Sequence, residues 1–565
     1  MFLLFTFVLS CFAGNGLNVE NQLLVMPYPQ KASFVWKGKE AISAKSSITF
    51  TVPEICQKDE KCLEIMEFNF NHSISYPLMK QTNIDDWRIS LFEQIDIPHI
   101  IPESEVEIKT VSFEFTSKTI EEIYPKLSID VDCSYKLDIT QQGIRIEAKT
   151  VYGAKNGMET LIQLFRPYNG RFIIAQLPIS IDDYPRFKWR GLMVDNARHT
   201  FKRSTFKKIV DAMSAIKANV LHIHLSDCQQ FLFESETFPY LSKKGAFQQD
   251  RVFTKAFIKE LKEYANKRGV IVYAELDTPA HSASWNKGYP GVVADMWDYL
   301  VENKNRYGEN IPALNPTNNL TFPILDALMK ELGEYFETDY VHFGGDEVWD
   351  GAWRYSKEID EINKWMKEHN ISDYLGLEKY FNIYAQEQII KNGKIPVAWE
   401  EIYKKGNILN STIVQVWLEP ETLKKCTSDG YKAIFSFGYY LDMEMPLCSE
   451  YVDGSCQNPN HMWVWTNRDM YSNDPVKGLT PEQIENVLGG EACSWDESCD
   501  DQNFFDRVFQ RYSAVAERFW SNQNVIDPES HEVRANYVRC LGLRRSFLKG
   551  TGPLYHSYCQ LPEDL

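Results

Sequence analysis

Asp346 and Glu347 are adjacent carboxylates that follow Gly344 and Gly345 at the end of a short apolar run, Tyr340-Val341-His342-Phe343. In an extended strand, neighbouring side chains point to opposite faces. For both acids to serve one pocket, the backbone must leave strand geometry here, and the two glycines permit that. Two carboxylates held together cannot both ionise freely, so one is expected to keep a proton near neutral pH. A proton donor beside a fixed anion is what cleavage of a glycosidic bond requires. Other candidates sit at comparable points. Asp277 and His281, in Glu275-Leu276-Asp277-Thr278-Pro279-Ala280-His281, could orient or tune that acid. His222 and His224 share one face of a strand, and Asp227 follows it. Such a set can bind a metal, but hydrogen-bonded histidines in a barrel core are the better reading, and no metal or organic cofactor is expected. Arg190 could fork onto sugar hydroxyls. Trp399, Trp417, Tyr440 and Trp495, with Asp442 and Glu497, end successive apolar runs and suggest an aromatic box for the apolar face of a sugar.

Positioning these residues requires a repeated strand–loop–helix framework. Apolar segments fall at 191–195, 219–225, 270–276, 340–343, 396–399, 413–417, 432–435 and 487–490, each followed by a helical pattern or a long loop. Eight such units predict a (β/α)8 TIM barrel, and the polar candidates cluster at the C-terminal strand ends, where such barrels keep their active sites. The preceding region differs. Leu137–Ala148 reads as two short strands around Gln-Gln-Gly, and Tyr152-Gly153-Ala154 opens a helix. A smaller α+β domain over 17–185 is therefore expected before a catalytic barrel over 186–565.

The chain has 565 residues and a net charge of −18, which argues against nucleic acid and anionic membranes as partners. Met1–Ala13 is apolar, too short to span a bilayer comfortably, and followed by Gly14-Asn15-Gly16; residues 1–16 are read as a signal peptide. Sequons occur at Asn71, Asn319, Asn370 and Asn410. Of twelve cysteines, short spacings suggest Cys56–Cys62, Cys448–Cys456 and Cys540–Cys559 bridges. Together these features point to the secretory pathway, with a lysosomal or secreted destination.

The assembled motifs resemble the β-N-acetylhexosaminidases of glycoside hydrolase family 20, in their eukaryotic lysosomal or secreted branch. The matching residues are Tyr152-Gly153-Ala154 with Met158-Glu159-Thr160, Trp189-Arg190-Gly191, Asp277-Thr278-Pro279 with His281, His342-Phe343-Gly344-Gly345-Asp346-Glu347-Val348, and Gly489-Gly490-Glu491-Ala492 with Trp495. The resemblance implies exo-acting, retaining, substrate-assisted removal of terminal β-linked GlcNAc or GalNAc, an exception to the two-carboxylate scheme. It makes Glu347 the acid, Asp346 the partner of the 2-acetamido nitrogen, and Asp227 with His281 a dyad beside Glu347. Tyr440 would bond the acetamido oxygen. Trp399, Trp417 and Trp495 would line the acetyl pocket and sugar face, while Arg190, Asp442 and Glu497 would bind ring hydroxyls. A homodimer is a further implication. Three positions depart from the family: Ala280 for Gly, Cys228 for a second Asp near His281, and Glu400 where Gln is frequent. Glu400 is expected to add acid near the pocket mouth and alter the pH profile. Met443 beside Asp442, without a basic residue nearby, implies neutral substrates. The endo-chitinase pattern of alternate aspartates before a glutamate is absent.

Overall fold

The computed structural model describes residues 22–548, apart from 36–38, 46, 80–101, 169–170, 303–311, 443–446, 449–450, 453–454, 457–458 and 461–464. Eight parallel strands close into a barrel in chain order: β1 (Trp189–Asp195), β2 (Val220–His224), β3 (Ile271–Thr278), β4 (Tyr340–Gly344), β5 (Ile395–Trp399), β6 (Ile413–Val416), β7 (Ala433–Phe435) and β8 (Val487–Ser494). β8 closes the ring on β1, with Trp189 beside Gly489 and Val194 beside Ser494. Every residue of β1 to β4 is buried. Strands covered on both faces need no polar alternation, which is why the sequence reads as continuous apolar runs. β8 extends beyond its apolar segment to Ser494, because Glu491 and Ser494 point their polar atoms at buried partners.

The barrel interior is layered. At the N-terminal end of the strands Trp189, Val220, Ile271, Tyr273, Tyr340, Val397, Ile413 and Ile434 form an apolar plug. Above them lies a buried polar layer of His222, Glu275, His342, Gln415 and Glu491. Helices Arg203–Ala215, Lys255–Lys267, Thr321–Phe336, Tyr374–Lys391 and Gln510–Trp520 cover the outside.

The preceding region is α+β. Its six-stranded sheet includes the antiparallel pair Tyr135–Thr140 and Gly143–Ala148, matching the hairpin read from Gln-Gln-Gly. Helix Val151–Leu164 packs on this sheet, and the Thr150 hydroxyl caps it by accepting the Gly153 N–H. Buried charges join this region to the barrel. Asp183 accepts from Lys217 Nζ at 2.8 Å, Tyr135 OH at 2.7 Å and Trp520 Nε1 at 3.0 Å. Glu159 pairs with Arg268 at 2.9 Å and Arg545 at 2.6 Å. Burial alone would raise the Glu159 pKa, but the two guanidinium groups hold it far below the usual carboxylate range. Removing one member of such a pair strands the other in a dry site, at roughly 3–5 kcal/mol.

The Cys56–Cys62 bridge is present. The side chains of Cys448, Cys456, Cys540 and Cys559 lie outside the described residues, as do the signal-like residues 1–16 and Met443. Asn71, Asn319, Asn370 and Asn410 are all exposed.

Candidate active site

The C-terminal rim of the barrel encloses a cleft of about 210 Å³, lined by Arg198, Asp277, His281, Asp346, Glu347, Trp399, Trp417, Tyr440, Asp442, Trp495 and Glu497. All of these but Arg198 were candidates from the sequence. The backbone turn that unites the acid pair is real. Gly344 and Gly345 have φ of +78° and +90°. A Cβ at Gly344 would lie 1.7 Å from Asp277 Oδ1, and one at Gly345 would strike Ile402. Glu347 and His281 also occupy the left-handed region, at φ +48° and +53°. Such strain costs roughly 1–3 kcal/mol per residue and persists only where surrounding structure imposes it.

A buried relay leads inward from Glu347. His281 Nε2 lies 3.3 Å from Glu347 Oε2 and 3.8 Å from Asp346 Oδ2, within pairing distance but not aligned as a formed hydrogen bond. On its other side, His281 Nδ1 is 3.3 Å from Asp227 Oδ1. Asp227 Oδ2 is held by Arg198 Nη2 at 2.8 Å and by His224 Nε2 at 3.0 Å. His224 Nδ1 continues to Glu275 Oε2 at 2.6 Å, and Glu275 Oε1 accepts Trp399 Nε1–H at 2.8 Å. His222 bridges Glu491 and Glu275 at 2.8 and 3.4 Å. The strand histidines are thus core residues engaged by carboxylates, as expected.

Electrostatics divides the acid pair. Burial is the main cause pushing Asp346 up to about 6, opposed by His281. Contact with His281 is the main cause lowering Glu347. Burial would depress His281, but Asp227 and Asp277 overcome it and raise its pKa well above the usual value. His281, favoured in its charged form, thus faces the half-exposed Glu347 carboxylate, favoured in its ionised form, at 3.3 Å. Asp277 is raised by burial and by Asp346, and Asp442 is pushed up to about 7 by burial and by Glu497. Asp277 Oδ1, Asp346 Oδ1 and Asp442 Oδ1 have no hydrogen-bond partner among the described residues.

Four aromatics form one wall. Trp417 stacks on Tyr440 with ring centroids 5.8 Å apart, and Trp399 meets Trp417 and Trp495 at 6.4 and 5.8 Å. Met193 and Cys493 floor this box. Burial drives the Tyr440 phenol well above its usual pKa, so it stays a neutral donor.

The structure corrects Arg190. This side chain lies at the opposite end of β1, fully buried, with its guanidinium donating to the carbonyls of Lys217, Phe187 and Lys188 and stacked over Trp520. It cannot reach the cleft. Arg198, beyond the C-terminal end of β1, occupies the rim instead, between Asp195 (3.2 Å) and Asp227 and over the Trp495 ring at 4.9 Å. The positional rule for barrels would have selected it. Glu400 is corrected too: it is buried and turned away from the cleft, with Oε2 accepting the Trp417 and Leu418 N–H groups at 2.8 and 2.9 Å. Cys228 does not leave Asp227 unsupported, since its own N–H donates to Asp227 Oδ1 at 2.6 Å.

Residues 187–523 match the family model "Glycosyl hydrolase family 20, catalytic domain", and residues 25–164 match "beta-acetyl hexosaminidase like". The chain belongs to glycosyl hydrolase family 20. It is a glycoside hydrolase. It is 62% identical over 565 residues, all of both chains, to the β-hexosaminidase subunit beta of Entamoeba histolytica. Against the human β-hexosaminidase subunit beta it is 32% identical over 464 residues, covering 81% of this chain and 78% of that one. The Flavobacterium johnsoniae chitobiase superposes with a TM-score of 0.71 at 26% identity, over 93% of this chain and 72% of the other.

Proposed function

We propose that this family 20 enzyme is an exo-β-N-acetylhexosaminidase that removes terminal non-reducing β-linked GlcNAc or GalNAc from neutral glycans, glycoconjugates or chitooligosaccharides, with retention of configuration. The observation that carries this reading is an unpartnered, buried Asp346 oxygen facing an aromatic box, beside an exposed Glu347 whose Oε2 lies 3.3 Å from His281 Nε2. The small cleft suits one terminal sugar rather than the middle of a chain.

In this mechanism Asp346 accepts the acetamido N–H, and Tyr440 donates to the acetamido oxygen. The aromatic box holds the acetyl group so that this oxygen faces the anomeric carbon. Orientation of an internal nucleophile supplies a large effective concentration. As the C–O bond breaks, the proton passes from His281 to Glu347 and on to the leaving oxygen. The acetamido oxygen closes an oxazolinium ring, and the Asp346 anion stabilises its positive charge. Glu347, now a base beside His281, takes a proton from the water that reopens the ring. Asp227 keeps the imidazole oriented and favours its charged form. Arg198, Asp442 and Glu497 hold the ring hydroxyls.

Among the described residues no helix is long and apolar enough to cross a membrane. The apolar start of the chain, the exposed sequons and the Cys56–Cys62 bridge support passage through the secretory pathway to a lysosome or the exterior. Domain limits at 16/17 and 185/186, carbohydrate at the four asparagines and a homodimer complete the reading. A chromogenic N-acetylglucosaminide tests it: the enzyme is expected to turn over, and Glu347→Gln is expected to lose at least about 10²–10⁴-fold in kcat, the range of general acid–base catalysis. A silent wild-type protein would refute the proposal.

A further inference from the structure

Trp417 directly follows β6 on a rim loop and is only half-buried, yet it forms a wall of the acyl box. Its indole N–H donates to Glu401 Oε2 at 3.0 Å. Its backbone is gripped by the preceding residue of the same pair. Glu400 Oε2 accepts the successive N–H groups of Trp417, Leu418 and Glu419 at 2.8, 2.9 and 3.5 Å. Glu400 Oε1 accepts the Thr422 hydroxyl at 3.0 Å, with Lys404 Nζ 3.7 Å away. Consecutive N–H groups converging on one carboxylate oxygen make a clamp on a loop. The neighbouring wall is anchored differently: Trp399 is buried and donates to Glu275 inside the barrel. The outer wall of the box therefore depends on two adjacent carboxylates that themselves have no need to touch substrate.

Resting on the functional reading above, we propose that Glu400 and Glu401 are specificity-determining positioning residues, which lock Trp417 against Tyr440 and so set the length of N-acyl group the enzyme accepts. Glu400 fixes where the loop runs, and Glu401 fixes the rotation of the indole. With both in place, the box closes over an acetyl group and excludes an additional methylene. One methylene in such a pocket is worth roughly 10–200-fold in kcat/KM. A swinging Trp417 admits the longer acyl group and also misplaces the acetamido oxygen, so kcat for the normal substrate falls.

The test compares nitrophenyl glucosaminides carrying N-acetyl and N-propionyl groups. Wild-type enzyme is expected to prefer N-acetyl strongly. Glu401→Ala and Glu400→Ala are each expected to narrow that preference by about tenfold and to lower kcat on N-acetyl substrate by about 10–100-fold. Glu401→Gln keeps an oxygen for the indole N–H, so it is expected to restore the preference to near wild type. Thr422→Val removes the hydroxyl that holds Glu400 Oε1 without changing any residue of the box, and is expected to relax the preference in the same direction as Glu400→Ala by a smaller factor; it carries the test if the alanine variants do not fold. Folded variants with unchanged acyl preference would overturn the clamp while leaving the hydrolase reading intact. A Glu401→Gln variant as relaxed as Glu401→Ala would also overturn it. Wild-type protein inactive on N-acetyl substrate would remove the functional reading and the clamp with it.

Discussion

The two ends of the barrel use the same residue types to opposite effect. Arg190 lies at the N-terminal end of β1 and Arg198 just beyond its C-terminal end. Arg190 gives its N–H groups to backbone carbonyls and is sealed beneath Trp520. Arg198 gives its charge to Asp227 and Asp195 and lines the cleft. The lower interior is closed by an apolar plug around Trp189 and Tyr273, and its acid Glu491 is saturated by Trp189, His222 and Gln415. At the upper end Asp277, Asp346 and Asp442 each keep a buried oxygen without a partner among the described residues. Folded proteins rarely leave such atoms unsatisfied. The contrast sets an acid, Glu491, with both oxygens engaged inside the barrel against three rim carboxylates that each keep an oxygen open toward a ligand.

The widest break in this comparison is expected from the two arginines. Arg198→Lys loses the fork between Asp195 and Asp227 and is expected to reduce kcat/KM by about 10²-fold, the scale of roughly 3 kcal/mol for a charged hydrogen-bonding group, with a smaller loss of thermal stability because the lysine ammonium still faces the two buried carboxylates. Arg190→Lys is expected to do the reverse, lowering stability by roughly 1–3 kcal/mol through stranded carbonyls while sparing KM. Steady-state kinetics and thermal melts on both variants check this. Equal effects of the two substitutions on KM would erase the distinction.

A smaller effect should appear in the pH profile. His281 has a raised pKa, so its proton is present below that value and is lost as pH rises through it. The alkaline limb of kcat/KM therefore follows His281. Asp227→Asn removes the carboxylate that favours imidazolium and is expected to move that limb to lower pH, measured by pH–rate profiles on an N-acetylglucosaminide. A limb that stays in place or moves upward would disconnect Asp227 from the proton.

Much of this was legible before the fold was seen. Parallel strands buried on both faces leave short apolar runs, so β1 to β8 could be counted. The glycine pair announced the turn at Asp346 because no other residue accepts φ near +80° beside Asp277. Arg190 misled because a conspicuous residue was weighed by type and motif, while its position at the N-terminal end of β1 opposed the assignment. Arg198 was overlooked because its loop has no periodicity to mark it. The direction of Glu400 was hidden because its partners are backbone N–H groups of a distant strand end, which no side-chain pattern encodes. Contacts such as Asp183 with Trp520, 337 residues apart, are likewise set by tertiary packing alone.

The most direct test of the account compares nitrophenyl 2-acetamido-2-deoxy-β-glucoside with nitrophenyl β-glucoside, identical but for the 2-substituent. With the substrate's own amide as nucleophile, kcat/KM should favour the amide-bearing compound by about 10⁵-fold or more. Comparable rates on the two, or a sugar covalently bound to a protein side chain, would contradict it.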